Sequence, residues 1–499
     1  MALSIIISTT PRSSTGVNTI IASTTTSGVF KFRYHLRVEY WISGELLTKS
    51  FAVTQPRNNA GLGIFNMTEI YKNIVTPMIT TKSLRDSKDS GIPSLIVPIH
   101  NMPFDHTDGT DTKQQYLYSR PYMNDSAGWD SFQGNCNKAL LTFREMYSTT
   151  SGGIPTIQGS AVTKSQYVFW GRFDRDDNIN TPLNTKFNLT APTKNFLTNN
   201  YKFDLSTGVG RYIGYIGRNQ LMTMAFQNGH VSGAFDVDTY GVLFRYYNSS
   251  GIEIGNLLAK NEKDSGGKYG GTDGQLNSGR SFFMTIGAGL ENLDDVTTSY
   301  SYYVGDTPEE AETSSGDSIS YYEMYMINSS SNRISNIYKF NVTTPCDRYE
   351  ETRLAYINKY GCWEYINLNK KRKTTYKVKK DTILKPLLHS EVPANTTDEG
   401  EANNIFPPTM PHQGTMVTSI SVDEDMSLFT QNLDDTELAR IQDLILSPQI
   451  HMASPNANSS SWVALICTTT KIDTKTKGES KLYSYELKFK FAEPKFRTT

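Results

Sequence analysis

The 499-residue sequence predicts a mainly β protein: a multi-domain chain of tandem antiparallel β-sandwiches, immunoglobulin-like or jelly-roll-like, with a few short helices. Three observations carry that expectation. Phe30, Phe32, Tyr34, Leu36, Val38 and Tyr40 alternate strictly with Lys31, Arg33, His35, Arg37 and Glu39, and period two describes a strand with one buried and one wet face. The chain is rich in Tyr (29) and Phe (23), with Ser, Thr, Asn and Gly between apolar runs, a mixture that suits strands joined by polar turns. Its length exceeds the roughly 250–300 residues at which one core stops growing, so several domains are expected.

After residues 30–40, Ser43-Gly44 turns into a partner strand at 46–53, which stops before Pro56. Phe65-Asn66-Met67-Thr68-Glu69-Ile70 offers an N-cap Asn, a Glu three residues on and a flanking apolar pair. This is a capping box with a hydrophobic staple, and it predicts a helix over 67–75 that ends at Pro77. Residues 1–110 are expected to form an N-terminal sandwich carrying this helix. Residues 105–111, 148–160 and 174–180 read as surface loops, and 264–279 as a Gly-rich excursion. Residues 242–247, Asn248-Ser-Ser-Gly251 and residues 252–254 predict a hairpin with Gly251 left-handed. Strands at 320–327 and 337–342 complete a central β-rich region, 111–345, of one or two sandwiches.

Residues 346–420 are expected to hold a hairpin, a basic strand and a linker, the last over 384–413 and rich in Pro and polar residues. Residues 421–499 read as a C-terminal α+β docking domain. There Leu433-Asp434-Asp-Thr-Glu437-Leu438 repeats the cap-and-staple pattern and starts a helix over 435–446, with Leu438, Ile441 and Ile445 on one face. Ser447-Pro448 stops it, and strands at 461–468 and 482–491 close the chain.

The net charge of −1 supplies no global field toward nucleic acid or an anionic membrane. Cys136, Cys346, Cys362 and Cys467 show no CxxC spacing and are too sparse for a disulfide framework; Cys346 and Cys362 read as packed free thiols. The first residues lack basic charge before a very short apolar run, and no stretch approaches the ~20 apolar residues of a membrane helix. Neither export by the usual route nor a membrane partner is expected.

No motif for a nucleophile or a phosphate loop is present: no Gly-x-Ser-x-Gly, no Ser-x-x-Lys set, no Walker loop. Gly208/Gly210 and Gly287/Gly289 read as close-packed turns. The seven histidines are scattered. His106, with Asp105, Asp108 and Asp111, matches no calcium-loop register and reads as a solvated loop. Any carboxylate pair chosen for sugar cleavage would be arbitrary. No catalytic residue, cofactor or metal ligand is assigned, and an enzyme is not expected.

The sharpest charge feature is Lys370, Lys371, Arg372, Lys373, Lys377, Lys379 and Lys380, seven basic residues in eleven. Contact with DNA phosphates, docking on an acidic neighbour and a solvated strand edge whose lysines block unwanted pairing all suit it.

The most informative stretch runs Cys346-Asp-Arg-Tyr349-Glu-Glu-Thr-Arg353-Leu-Ala-Tyr356-Ile-Asn358-Lys-Tyr-Gly361-Cys-Trp363-Glu-Tyr365. Asn358 and Gly361 tolerate the positive φ of a tight connection, so two aromatic strands here form a hairpin. The pattern is an aromatic, Arg-Leu, a short apolar run, Asn-x-x-Gly, a small residue, an aromatic and an acid. It resembles virion proteins of tailed bacteriophages, especially tail and neck components of crAss-like phages, with Glu364 where Asp is more usual. The helix, Leu446-Ser447-Pro448 and closing aromatic strand over 433–491 resemble the ends of the same proteins.

That resemblance implies a non-enzymatic virion protein of the portal-proximal tail, a ring, hub, collar or muzzle-type component made in the host cytoplasm. It further implies a ring of copies of itself, docked to the portal and other tail proteins, with non-specific contact to the phage DNA. Trp363 and the seven basic residues are the candidate assembly or DNA-facing positions. An alternative is a receptor- or glycan-binding tail fibre or head decoration, which predicts exposed aromatics on loops 148–160 or 264–279. A polysaccharide-degrading tail enzyme is the third reading.

Overall fold

A computed structural model describes residues 3–6, 12–13, 19–42, 45–74, 81–84, 95–98, 105–108, 111–114, 136–171, 195–198, 201–205, 210–227, 240–260, 283–294, 303–328, 330–343, 349, 351–384, 415–430, 433, 435–453, 462–471, 484–492 and 496–497. The fold is mainly β, with four helices among the described residues.

The N-terminal unit is a sandwich. Strands Leu3–Ile6, Thr19–Thr24 and Gly63–Asn66 form a three-stranded sheet, and a second sheet runs Arg12–Ser13, Thr156–Phe169, Cys136–Ser148, Phe30–Ile42, Glu45–Pro56. Ile20, Ala22 and Phe65 of the first meet Tyr34, Leu36, Val38, Leu141 and Phe143 of the second in one core. The alternation places Tyr34, Leu36 and Val38 inside and leaves Lys31, Arg33 and Arg37 exposed. Helix Thr68–Ile74 adds Tyr71 and Ile74 to the buried set; Asn66 Oδ1 accepts from the Thr68 amide at 3.1 Å, as an N-cap does. The boundary expected at 110 is corrected: Cys136–Ser148 pairs directly with Phe30–Ile42, because Leu141 and Phe143 complete the same buried face. Residues 105–111, expected as a loop, hold a two-stranded hairpin, Asp105–Asp108 with Asp111–Gln114.

The central unit is a seven-stranded sheet, in order Lys202–Asp204, Arg211–Gly217, Ile337–Thr343, Tyr321–Ile327, Gly241–Tyr247, Glu253–Lys260, Tyr303–Gly305. One of its pairs, Arg211–Gly217 with Ile337–Thr343, is parallel. Tyr338, Phe340, Tyr322, Met324, Phe244 and Tyr246 point into its core, against the two-stranded sheet Thr223–Gln227/Phe283–Gly287 and helix Leu290–Asp294. Helix Pro308–Ser315 opens with a full capping box, Thr307 and Glu310 each bonding the other's backbone amide. The sequence reading missed this box. On the opposite face Tyr321 stacks on Tyr247 with centroids 4.7 Å apart, and Lys339 Nζ sits 3.7 Å from the Tyr321 ring centre. This is cross-strand packing.

Residues 346–420 and 421–499 are not separate units. The C-terminal sheet runs Trp363–Leu368, Thr352–Ile357, Ile450–Ala453, Trp462–Cys467, Glu486–Phe491, Thr415–Phe429, Arg372–Leu384, with Phe496–Arg497 beside Thr415–Phe429. Leu354, Tyr356, Ile366, Met426, Leu428, Leu487 and Phe489 bury one face against Leu438, Ile441 and Leu444 of helix Asp435–Ile445. Ala355, Ile357, Trp363 and Tyr365, pointing the other way, join the core of the central unit. The linker expected over 384–413 lies outside the described residues apart from Leu384, as do the 174–180 loop and the 264–279 excursion.

Four turns are built alike, three of them in hairpins and the one at Asn58 linking the two N-terminal sheets. Asn58, Asn248, Asn328 and Asn358 each receive, on the backbone carbonyl, the amide three residues on. In each, the side-chain Oδ1 accepts the amides two and four residues on. The fourth residue is left-handed: Gly61, Gly251 and Gly361 at φ 77°, 75° and 77°, and Ser331 at 60°. The Asn side chain mimics backbone, and Gly meets the positive φ without a Cβ penalty.

Candidate functional site

The informative hairpin, Thr352–Ile357 with Trp363–Leu368, is buried on both faces. Its polar side chains are turned inward and spent on neighbours. Asn358, 1% exposed, closes its turn through Oδ1 while its Nδ2 donates to the Leu197 carbonyl at 3.0 Å and to Glu364 at 2.9 Å. Both oxygens of Glu364 accept from Thr198 Oγ1, at 2.9 and 3.0 Å. Arg353 donates to Asn367 Oδ1 (2.6 Å), Gln220 Oε1 (2.7 Å) and the Leu221 carbonyl (2.7 Å). Gln220 is a hub: its Oε1 also accepts from the Gly217 amide and Asn367 Nδ2, and its Nε2 donates to Glu351. From the helix side, Arg440 Nη2 donates to the Tyr365 carbonyl at 2.7 Å. Tyr365 Oη bonds Thr223 Oγ1 at 2.9 Å.

Two cations and two carboxylates are thus held around one largely buried hairpin. Burial pulls the Arg353 guanidinium down to about 10, against the opposing pull of Tyr365 and Glu351. Burial raises the Glu364 and Glu351 carboxyls, against the nearby Arg440 and Arg353 respectively. His451, stacked on Trp363 at 5.5 Å, is lowered to about 4 by burial, so its ring is neutral near pH 7. A small cavity between Thr198, Tyr201, Thr223, Trp363, Glu364 and Tyr365 has room for about one water molecule. The Cys362 thiol is buried and pushed up, burial first and Glu364 second, which disfavours the reactive thiolate. Among the described residues no group of His, Cys, Asp and Glu could hold a metal, and no helix is long and apolar enough to cross a membrane.

The candidate positions separate here. Trp363 is 4% exposed and belongs to the internal weld between central and C-terminal units, so its assignment as an assembly-facing residue is corrected. Its apolar ring fills the seam that the hairpin makes with the central core. The basic residues lie elsewhere: Lys370 and Lys371 precede strand Arg372–Leu384, and Arg372, Lys373, Lys377, Lys379 and Lys380 lie on it. All are exposed except half-buried Arg372. That strand pairs with Thr415–Phe429, whose Asp423-Glu424-Asp425 run meets the lysines. Lys377 bonds Asp425, and Lys379 and Lys490 approach Asp423 at 3.5 and 3.7 Å. Part of the positive charge is therefore neutralised within the sheet.

Sequence reasoning missed Gln220, Arg440 and Thr198, for which no local pattern exists, and the acidic triplet 423–425. The triplet had a signal: it is the chain's complement to the lysine run. No family model matches this sequence, and comparison with curated proteins finds no match.

Proposed function

We propose that the chain is a structural component of a tailed-phage virion, in the portal-proximal tail as part of a ring, hub or collar. Copies of it associate there and dock to other tail proteins around the DNA conduit. One observation carries this reading: the side chains best suited to chemistry, Arg353, Glu364, Cys362 and His451, are buried in or beside a hairpin that joins two sheets. Rigidity at a junction suits a part that bears load between neighbours, and large polar sheet faces suit repeated contacts that close into a ring. The sequence resemblance of residues 346–368 and 433–491 supplies the virion context.

Electron micrographs of the purified full chain test the proposal, together with immunogold labelling of phage particles. Closed rings and label at the neck or tail are expected. A chain that stays single at high concentration, or label confined to capsid faces, contradicts it. The glycan-binding alternative expects exposed aromatics on loops 148–160 or 264–279, the second outside the described residues; Tyr215 at 66% and Tyr376 at 53% are exposed on strands instead. Tyr321 has Lys339 over its ring and Tyr247 stacked on it, and the turn near Ser148 exposes Ile154, not an aromatic ring.

A further inference from the structure

Strands Arg372–Leu384 and Thr415–Phe429, of 13 and 15 residues, pair along their length. At ~3.3 Å per residue the shorter spans about 40 Å. Glu486–Phe491 supports Thr415–Phe429 only as far as Asp425; beyond it, among the described residues, only Phe496–Arg497 lies alongside, at Ser421 and Val422. From Tyr376 outward the pair is an arm, and a lone two-stranded ribbon is marginal in water.

The two faces of this arm differ. Directly opposed residues share a face. The lysine face is internally matched, Lys377 with Asp425 and Lys379 with Asp423. The other face continues the buried Met426 and Leu428 outward as the opposed pairs Tyr376/Glu424, Val378/Val422, Lys380/Ile420 and Thr382/Val417. Tyr376 is 53%, Val378 54% and Val417 42% exposed, while Glu424, Val422 and Ile420 are half-buried. The order of residues along it is self-complementary. Turned end for end about Val378/Val422, the face sets Lys380 of one copy over Tyr376 of the other, beside that copy's Glu424. The valines meet at the centre and Ile420 lies over Glu424. A lysine over a tyrosine ring next to a carboxylate is doubly favourable.

We propose that two copies of this chain associate arm against arm through this face, about a two-fold axis at the Val378–Val422 pair. Pairing through the outer edge of Arg372–Leu384 is a different arrangement, with its two-fold axis normal to the sheet; centred on Val378 it would set Lys377 directly opposite Lys379, which disfavours it. The contact does not depend on ring closure. Alone it makes a dimer, and added to head-to-tail contacts it joins two rings.

The test is sedimentation velocity of the full chain across a wide concentration range, with Val378→Glu, Lys380→Glu, Glu424→Lys and the double charge reversal. Val378 and Lys380 are exposed and Glu424 is half-buried, and unchanged circular dichroism confirms folding of each variant. Val378→Glu is expected to weaken association roughly tenfold or more. Each single reversal weakens it, and Lys380→Glu/Glu424→Lys together restores it. If the wild-type chain assembles and none of the variants alters its particle mass, the arm contact is overturned while the Proposed function survives on other surfaces. If the wild-type chain never exceeds one copy, both fail; the arm face is then covered by a different protein or by this chain itself.

Discussion

Asn358 Nδ2 donates to Glu364 Oε2 across 2.9 Å, tying the tip of the aromatic hairpin to the strand that leaves it. The same amide group also holds the Leu197 carbonyl, so one side chain closes a turn and fastens it to the central unit. That double duty separates this turn from the otherwise identical ones at Asn58 and Asn328.

Asn358→Ala removes four hydrogen bonds and leaves buried amides and a carbonyl without their partner. A loss of about 2–4 kcal/mol is expected from urea unfolding. Asn58→Ala, at an exposed turn, is expected to cost about 1 kcal/mol. Equal losses at the two sites would contradict the double role.

Ser331 carries a left-handed φ of 60° in the position that Gly occupies in the three sister turns. Ser331→Gly relieves the Cβ contact and is expected to stabilise the chain by about 1 kcal/mol, the strain outweighing glycine's larger unfolded-state entropy. A melting temperature that falls would show that strain is not the larger effect here.

His451 is buried against Trp363 with its pKa lowered to about 4. The unfolded chain takes up the proton first as pH falls below about 6.5, so stability is lost between that pH and about 4. Glu364 acts with the opposite sign. Its folded pKa is raised, so its cost appears as pH rises above the ordinary carboxylate value. His451→Phe is expected to flatten the acid side of the stability profile measured by urea titration at several pH values. An unchanged acid limb would place the titration elsewhere.

Arg353→Ala strands Gln220, Asn367 and the Leu221 carbonyl in a buried site. A loss of about 3–5 kcal/mol is expected by calorimetry or denaturant unfolding. Arg245→Ala, which removes a half-exposed ion pair with Glu253, is expected to cost under about 1 kcal/mol.

Much of the fold was legible in the sequence. The Phe30–Val38 alternation, the Asn248–Gly251 hairpin and the 435–445 helix each carry their cause within a few residues, as periodicity, turn chemistry or a stop at Ser447-Pro448. What stayed hidden is long-range. Cys136–Ser148 joins the first sheet across a hundred positions of chain, and no local pattern reports that. Trp363 reads as a surface anchor until its neighbours from the central core are in place. The Asn-x-x-Gly of the phage-like pattern proves to be a turn used in three other places, once with Ser for Gly. The parts particular to the hairpin are Arg353, Trp363 and Glu364, all of them in the weld.

Native-state hydrogen exchange tests the central claim most directly, that this hairpin welds the central and C-terminal sheets into one cooperative body. Amides of Thr352–Ile357 and Trp363–Leu368 are predicted to open with the same free energy as those of Arg211–Gly217 and Tyr321–Ile327, and Arg353→Ala should lower both sets together. A hairpin that opens at distinctly lower free energy, leaving the central sheet protected, would contradict the account.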